Sequence, residues 1–323
     1  MKLSGGGWVI LGMNLSKPLG SLCLFAAATT IALGAVNRTV DRSFNVQPGG
    51  TLRIETSNGS IHVHSAKDAV VKIVLKEKIA ASSEAEADTV LKDLALELSQ
   101  AGADVTAKAN VANEQSGWFG GGRQRVLLSW DVTVPDRYNV DLHTSGGSIR
   151  VGDLEGRVAV NTSGGSIEIG SISGTVKADT SGGHIRLESC TGEASLDTSG
   201  GSLRVGTSRG ALKLDTSGGS IHVDHAENTV WADTSGGSID VGFFGPLKGD
   251  CKLDTSGGSV TATLDSGAAF DLVADTSAGT VSCDFPIEVR GRQSRDHLDG
   301  RVNGGGPRLR LDTSAGSIHV RRR

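Results

Sequence analysis

Residues 212–223 read Leu212-Lys-Leu-Asp-Thr-Ser-Gly-Gly-Ser-Ile-His-Val223, and this stretch is one copy of a repeat that decides the fold. With variations, the same string begins again at Thr144, Thr162, Thr180, Thr198, Thr216 and Thr234, each 18 residues after the last. It continues at Thr255 and Thr276, each 21 residues later, and at Thr313, 37 later. A divergent copy, Thr-Ser-Asn-Gly-Ser-Ile, starts at Thr56. Four positions in each unit are apolar. Around Thr216 they are Leu212 and Leu214 before the turn, and Ile221 and Val223 after it. Each pair is spaced by two, which is the period of a strand and not of a helix.

Each unit therefore reads as strand, turn, strand, turn. The expected role of the Gly-Gly pair is to supply positive φ. The second turn carries a looser glycine: Gly156, Gly174, Gly192 or Gly210. A two-strand coil cannot bury its apolar side alone. Stacking coils about 4.8 Å apart pairs their backbones and aligns like side chains into ladders. The predicted fold is all-β: a parallel β-solenoid, or β-helix, with about 18-residue two-strand coils. A hairpin meander also uses period-2 strands, but it does not require one turn in one phase.

Composition agrees with a narrow core. Of 323 residues 46 are Gly, and aromatics make up only 4%. The formal net charge of −4 gives no footprint for nucleic acid. The first 35 residues read as a signal peptide, with Lys17, an apolar run from Ser21 to Ala32 and small residues at Gly34 and Ala35. Met13 is a plausible alternative start. The apolar run is too short to span a membrane, so no transmembrane span is expected in the mature chain. Cys23 lacks the small residue before it that a lipid anchor would require. Cys190, Cys251 and Cys283 are too widely spaced for a zinc site, and they fall at apolar phases of the repeat, where small buried residues belong.

Residues 36–64 read as a first divergent coil, and 65–135 as a small α/β N-terminal capping segment. Within the cap, Val70 to Ile79 is a strand, Ser83 to Gln100 an amphipathic helix with Ser83 as N-cap, and Val126 to Val134 a strand closed by Pro135. The solenoid proper occupies 136–323, with an insertion at 286–306. Arg321 to Arg323 would discourage a further strand from adding to its end.

Three features are candidates for binding. Trp118 and Phe119 stand on a Gly-rich loop and read either as a sticky tip or as cover folded over the cap. Phe243-Phe244-Gly245-Pro246 lengthens one coil and carries the same two readings. The insertion holds Arg290, Arg292, Arg295 and Arg301, a cationic set suited to anionic sugars but diluted by Asp296 and Asp299. The fourth feature is an acidic ladder immediately before the threonines: Asp179, Asp197, Asp215, Asp233, Asp254, Asp275 and Asp312. Stacked carboxylates need compensation, either from a divalent cation such as Ca²⁺ or from backbone N–H groups of the turn they precede. The Gly-Gly-x-Gly-x-Asp pattern of Ca²⁺ solenoids is not matched, which favours turn chemistry. No catalytic residues are expected. Asp-Thr-Ser-Gly has the wrong order for an aspartic protease, and the turns lack the Lys and helix of a phosphate loop.

The run from Val134-Pro-Asp-Arg-Tyr-Asn-Val-Asp-Leu-His-Thr through the Asp-Thr-Ser-Gly-Gly-Ser-Ile repeats resembles the bacterial putative-adhesin family of β-strand-repeat domains, a domain of unknown function. The resemblance spans most of residues 40–320. It implies an exported β-solenoid with no assigned catalytic residues. The functional expectation is a non-enzymatic cell-envelope or secreted protein, in the periplasm or at the surface, binding an envelope polysaccharide or protein. The outward ladder Arg150, Glu168, Arg186, Arg204, His222 and Asp240 offers mixed charge to such a partner. The alternative is a polysaccharide-active enzyme on a β-helix, its groove roofed by the arginine insertion.

Overall fold

The computed structural model describes residues 30–32, 35–92, 94–111, 126–290 and 293–323. The expected leader lies almost wholly outside them. No helix among the described residues is long and apolar enough to cross a membrane. The chain is all-β, with two long sheets of mostly parallel strands facing one another across an apolar core.

One sheet, here the aspartate sheet, contains the strands that lead into each threonine, such as Val176–Thr180, Ala194–Thr198 and Leu212–Thr216. The other, the isoleucine sheet, contains the strands that follow the turn, such as Ile185–Cys190, Leu203–Ser208 and Ile221–Ala226. Like residues pair with like: Ile167 with Ile185, Ile185 with Leu203, and Asp179 with Asp197. The four predicted apolar columns point inward and are buried throughout the central rungs.

The turns differ from expectation in two respects. Among the Gly-Gly turns only Gly59, in the divergent copy, has positive φ. The second glycine of each turn is there for space. A Cβ on Gly183 would lie 2.1 Å from the carbonyl oxygen of Gly165, and one on Gly201 would lie 2.0 Å from that of Gly183. The turns are hydrogen-bonded rung to rung, Gly182 N–H to Ser163 C=O at 3.1 Å and Gly200 N–H to Ser181 C=O at 3.0 Å, which brings backbone onto backbone. The second difference is the residue that closes the turn. It is the threonine, not the aspartate before it. Thr198 Oγ1 donates to Gly183 C=O of the preceding rung at 2.8 Å and accepts from Gly201 N–H at 3.3 Å. Every threonine of the column is buried, and the donated bond recurs from Thr144 to Thr313. Among the described residues, no ladder aspartate accepts a hydrogen bond from the turn backbone.

Order in space is not order in sequence at either end. Near the N-terminus, the coil formed by Thr51–Thr56 and Ser60–Ala66 stacks directly on Asn139–Thr144 and Ile149–Val151. Its other side is covered by Asp104–Val111 and Val126–Pro135, which add one more parallel rung. Antiparallel strands Val70–Ile79, Ala35–Asn45 and Thr30–Ala32 complete one sheet, and Leu94–Ala101 completes the other. Residues 36–45 therefore belong to the cap and not to the first coil. The expected helix is also shorter, Glu84–Leu91, with Ser83 as its N-cap. Leu94, Leu96 and Leu98 alternate with Ala95, Glu97 and Ser99, and that period of two places them in a strand.

At the other end, Cys251–Thr255 does not pair with Phe270–Thr276. The last strand pair of the sequence lies between them: Arg308–Thr313 is hydrogen-bonded to both, and Ile318–Arg322 lies between Val260–Leu264 and Val281–Cys283. The threonine bonds follow this spatial order, Thr313 to Gly258 and Thr276 to Gly316, each 2.7 Å. The insertion forms an antiparallel hairpin, Ile287–Val289 with His297–Val302, that covers the far edge of the aspartate sheet.

Candidate functional site

Along the outer side of the aspartate sheet, each rung presents two side chains. The first column runs Ala159, Lys177, Ser195, Lys213, Trp231, Lys252, Arg310, Val273 in spatial order. The second runs Asn161, Asp179, Asp197, Asp215, Asp233, Asp254, Asp312, Asp275 over the same rungs. Adjacent rungs lie about 4.8 Å apart, so a column that is half Lys and Arg runs beside a column of carboxylates.

Three of the seven ladder carboxylates lie near a Lys or Arg of their own strand. Lys252 lies 2.9 Å from Asp254, Arg310 2.6 Å from Asp312, and Lys177 3.9 Å from Asp179. His297, from the hairpin, pairs with Asp275. Asp197 and Asp233 share their rungs with Ser195 and Trp231 and lack a cation there. Partial loss of water, then the Asp215 and Asp179 carboxylates, hold Asp197 above the ordinary carboxylate value. Asp233 is raised in the same way, first by lost hydration and then by Asp254 and Asp215. Among the described residues, no three His, Cys, Asp or Glu side chains are grouped so as to hold a metal ion.

An acid whose folded pKa is raised contributes stability that is fully present below its unfolded value and lost as pH rises through the folded value. At pH 7 the two charges therefore oppose folding. Asp197→Asn is expected to raise the melting temperature at pH 7, by no more than about 2–4 °C because the site is exposed and screened. The gain should vanish below the ordinary value of 3.8. A melting series from pH 3 to 8 checks the sign.

Trp231 was not singled out from the sequence, although its phase shows it: an aromatic in a column otherwise made of Lys, Arg, Ser, Ala and Val. It is 58% exposed, between Lys213 and Lys252 on the neighbouring rungs. With Asp215, Asp233 and Lys252 it lines a shallow depression of about 150 Å³. A larger hollow of about 620 Å³ opens beside the cap, between Asn45, Val46, Asp68, Val70, Lys72 and Thr133. Lys72 there is paired with Asp41 at 3.3 Å.

The other candidates are dispersed. Trp118 and Phe119 lie outside the described residues, as does Arg292. Arg290 pairs with Asp271 at 3.1 Å. Arg295 lends its C=O to Val281 N–H, and Arg301 lies opposite Asp271 and Glu288 in the hairpin. The described strands of the hairpin extend the edge of the aspartate sheet. Phe243 is buried, and Phe244 stacks on His225 under the Arg323 guanidinium, so this extension folds back on the stack. On the isoleucine sheet part of the mixed charge is paired, Arg150 with Glu168 at 2.7 Å and His222 with Asp224 at 2.6 Å. Cys190 and Cys251 are buried and Cys283 is half-buried. Burial pushes all three thiols up, Cys251 to about 11.

The profile of the Toastrack DUF4097 family matches residues 132–321, more than half of the chain. Solved structures that match the chain include a putative adhesin from Bacteroides fragilis, 11% identical, TM-score 0.40, covering 88% of this chain and 97% of that one. A putative cell adhesion protein from Clostridium sporogenes is 13% identical, TM-score 0.21, with 88% and 100% covered. A putative lipid binding protein from Parabacteroides distasonis is 14% identical, TM-score 0.45, with 87% and 96% covered. No curated protein matches the sequence. The repeat phase, the two facing parallel sheets and the profile match agree, and the chain belongs to the Toastrack DUF4097 family.

Proposed function

We propose that this chain is a non-enzymatic, exported envelope or surface protein, a β-solenoid of 18-residue two-strand coils whose aspartate sheet binds polysaccharide. The observation that carries the reading is Trp231, an indole held exposed on the outer side of a sheet between Lys213 and Lys252 and beside a carboxylate ladder. An aromatic face takes the C–H face of a sugar ring, and the ring sits on strands that lose little freedom on binding. Sugar hydroxyls donate to Asp215, Asp233 and Asp254 and accept from Lys213 and Lys252. Carboxylates outnumber cations along the strip, and two of them are held above their ordinary pKa, so the face favours amino sugars over uronic acids.

Trp231→Ala is expected to weaken binding of chitosan oligosaccharides about 10- to 100-fold, the loss typical of a central aromatic contact. Its stability should change by less than about 0.5 kcal/mol, because the side chain points to solvent. Calorimetric titration against chitosan, dextran and alginate oligosaccharides checks this, with melting curves alongside. Equal binding by the variant, or saturable binding of alginate alone, would overturn the reading.

A further inference from the structure

We propose that residues 307–323 form an exchangeable coil: the C-terminal coil of one copy fills the slot of a second copy of this chain, and reciprocal exchange links two chains. This inference is independent of the sugar-binding face.

The slot has two walls, Cys251–Leu264 and Phe270–Cys283, and both precede the coil that fills it. Flanking strands stand two spacings apart, about 9.6 Å, an opening one strand wide. Both edges are unsatisfied until a strand enters. Val260 N–H then donates to Ser317 C=O at 3.0 Å, and Ile318 N–H to Thr280 C=O at 2.9 Å. Inside, Leu309, Leu311, Ile318 and Val320 continue the apolar columns and are buried. None of these contacts depends on which chain supplies the coil.

The connection also suits exchange. Val302 ends the hairpin strand, and Arg308 begins the inserted one. Between them Asn303, Gly304 and Gly305 all take positive φ, at 50°, 89° and 84°, followed by Gly306 and Pro307. Three glycines let this hinge straighten at small steric cost, and five residues extended span about 17 Å. A tight hinge in front of an inserted element is the arrangement from which swapped dimers arise. Through so short a linker the closed form has an effective concentration near millimolar, so dilute protein stays monomeric and exchange follows refolding at high concentration.

Thr261 and His319 are cross-strand partners on the outer side of the isoleucine sheet. Full chains carrying Thr261→Cys alone and His319→Cys alone are mixed, unfolded and refolded together at high concentration under mild oxidation. A covalent one-to-one dimer on a non-reducing gel is expected, and neither variant refolded alone should form it. Folded monomers without the cross-link would overturn the proposal. Independently, deleting Gly304 and Gly305 from the full chain removes the turn needed for self-closure. The dimer fraction, read by light scattering at micromolar concentration, should rise at least 10-fold. A hinge-shortened chain that stays a folded monomer would equally overturn it.

Discussion

Gly183→Ala destabilises the stack by about 3 kcal/mol, whereas Gly182→Ala, one residue earlier, is neutral within about 0.5 kcal/mol. The two residues share a turn and neither has positive φ, so backbone strain does not separate them. Contact does. A Cβ at 183 meets the Gly165 carbonyl oxygen at 2.1 Å and its carbon at 2.5 Å, both backbone atoms pinned in the rung below. A Cβ at 182 finds its nearest neighbour, the Gly164 carbonyl oxygen, at 3.5 Å, an ordinary contact. The chain makes the same distinction between its own repeats. Ala278 and Ala315 stand at the first position, while the second keeps Gly279 and Gly316. In a domain of this size the difference corresponds to roughly 6–12 °C in melting temperature. Denaturant midpoints for the pair, measured side by side, check it. Equal loss in both would mean that the turns are not in contact rung to rung.

Deleting residues 307–323 unravels residues 265–306 while leaving 139–264 folded. In a stack built in sequence order, losing the last coil would only shorten the end. Here it empties an interior rung. Leu309, Leu311, Ile318 and Val320 are all buried, and at about 1.5–3 kcal/mol each their loss removes roughly 6–12 kcal/mol of gross apolar burial. The coil at 270–283 and its hairpin then lose the strands that link them to the stack, and among the described residues they pair with no other strand of it. Stability in a repeat array is carried by neighbours, so the damage should stop near residue 264. Hydrogen exchange followed by peptide mass analysis should show fast exchange in 265–306 and slow exchange in 139–264. Protection of 270–283 in the truncated chain would contradict the inserted order.

Strands, turns and the inward columns were legible because the phase of the repeat states them. The order of coils was not, and the reason is physical. Leu309 and Leu311 occupy the same phase as Cys251 and Leu253 or Leu272 and Ala274, so phase alone does not state which coil stacks on which. Only the 37-residue gap before Thr313 hinted at a detour. The cap misled for a related reason: Val90, Leu91, Leu94 and Leu98 fit a helical face, yet Leu94, Leu96 and Leu98 also fit a strand, and pairing with Asp104–Val111 decided for the strand. The glycine column required knowing how closely one turn lies on the next, which no single unit reveals. The buried threonine was hidden by its polarity, since its bond partner is a carbonyl in another rung. Trp231 was readable by phase, but its exposure and its lysine neighbours appear only once the rungs are stacked.

Disulfide trapping tests the stacking order most directly. Thr261, His319 and Ser282 occupy one outward column, with His319 between the other two. The account predicts that the Thr261→Cys/His319→Cys chain closes an intramolecular disulfide at high dilution and that the Thr261→Cys/Ser282→Cys chain does not, because its sulfurs stand two rungs apart, about 9.6 Å along the stack. A disulfide between positions 261 and 282, with none between 261 and 319, would mean that the coils stack in sequence order and that the C-terminal coil is not inserted.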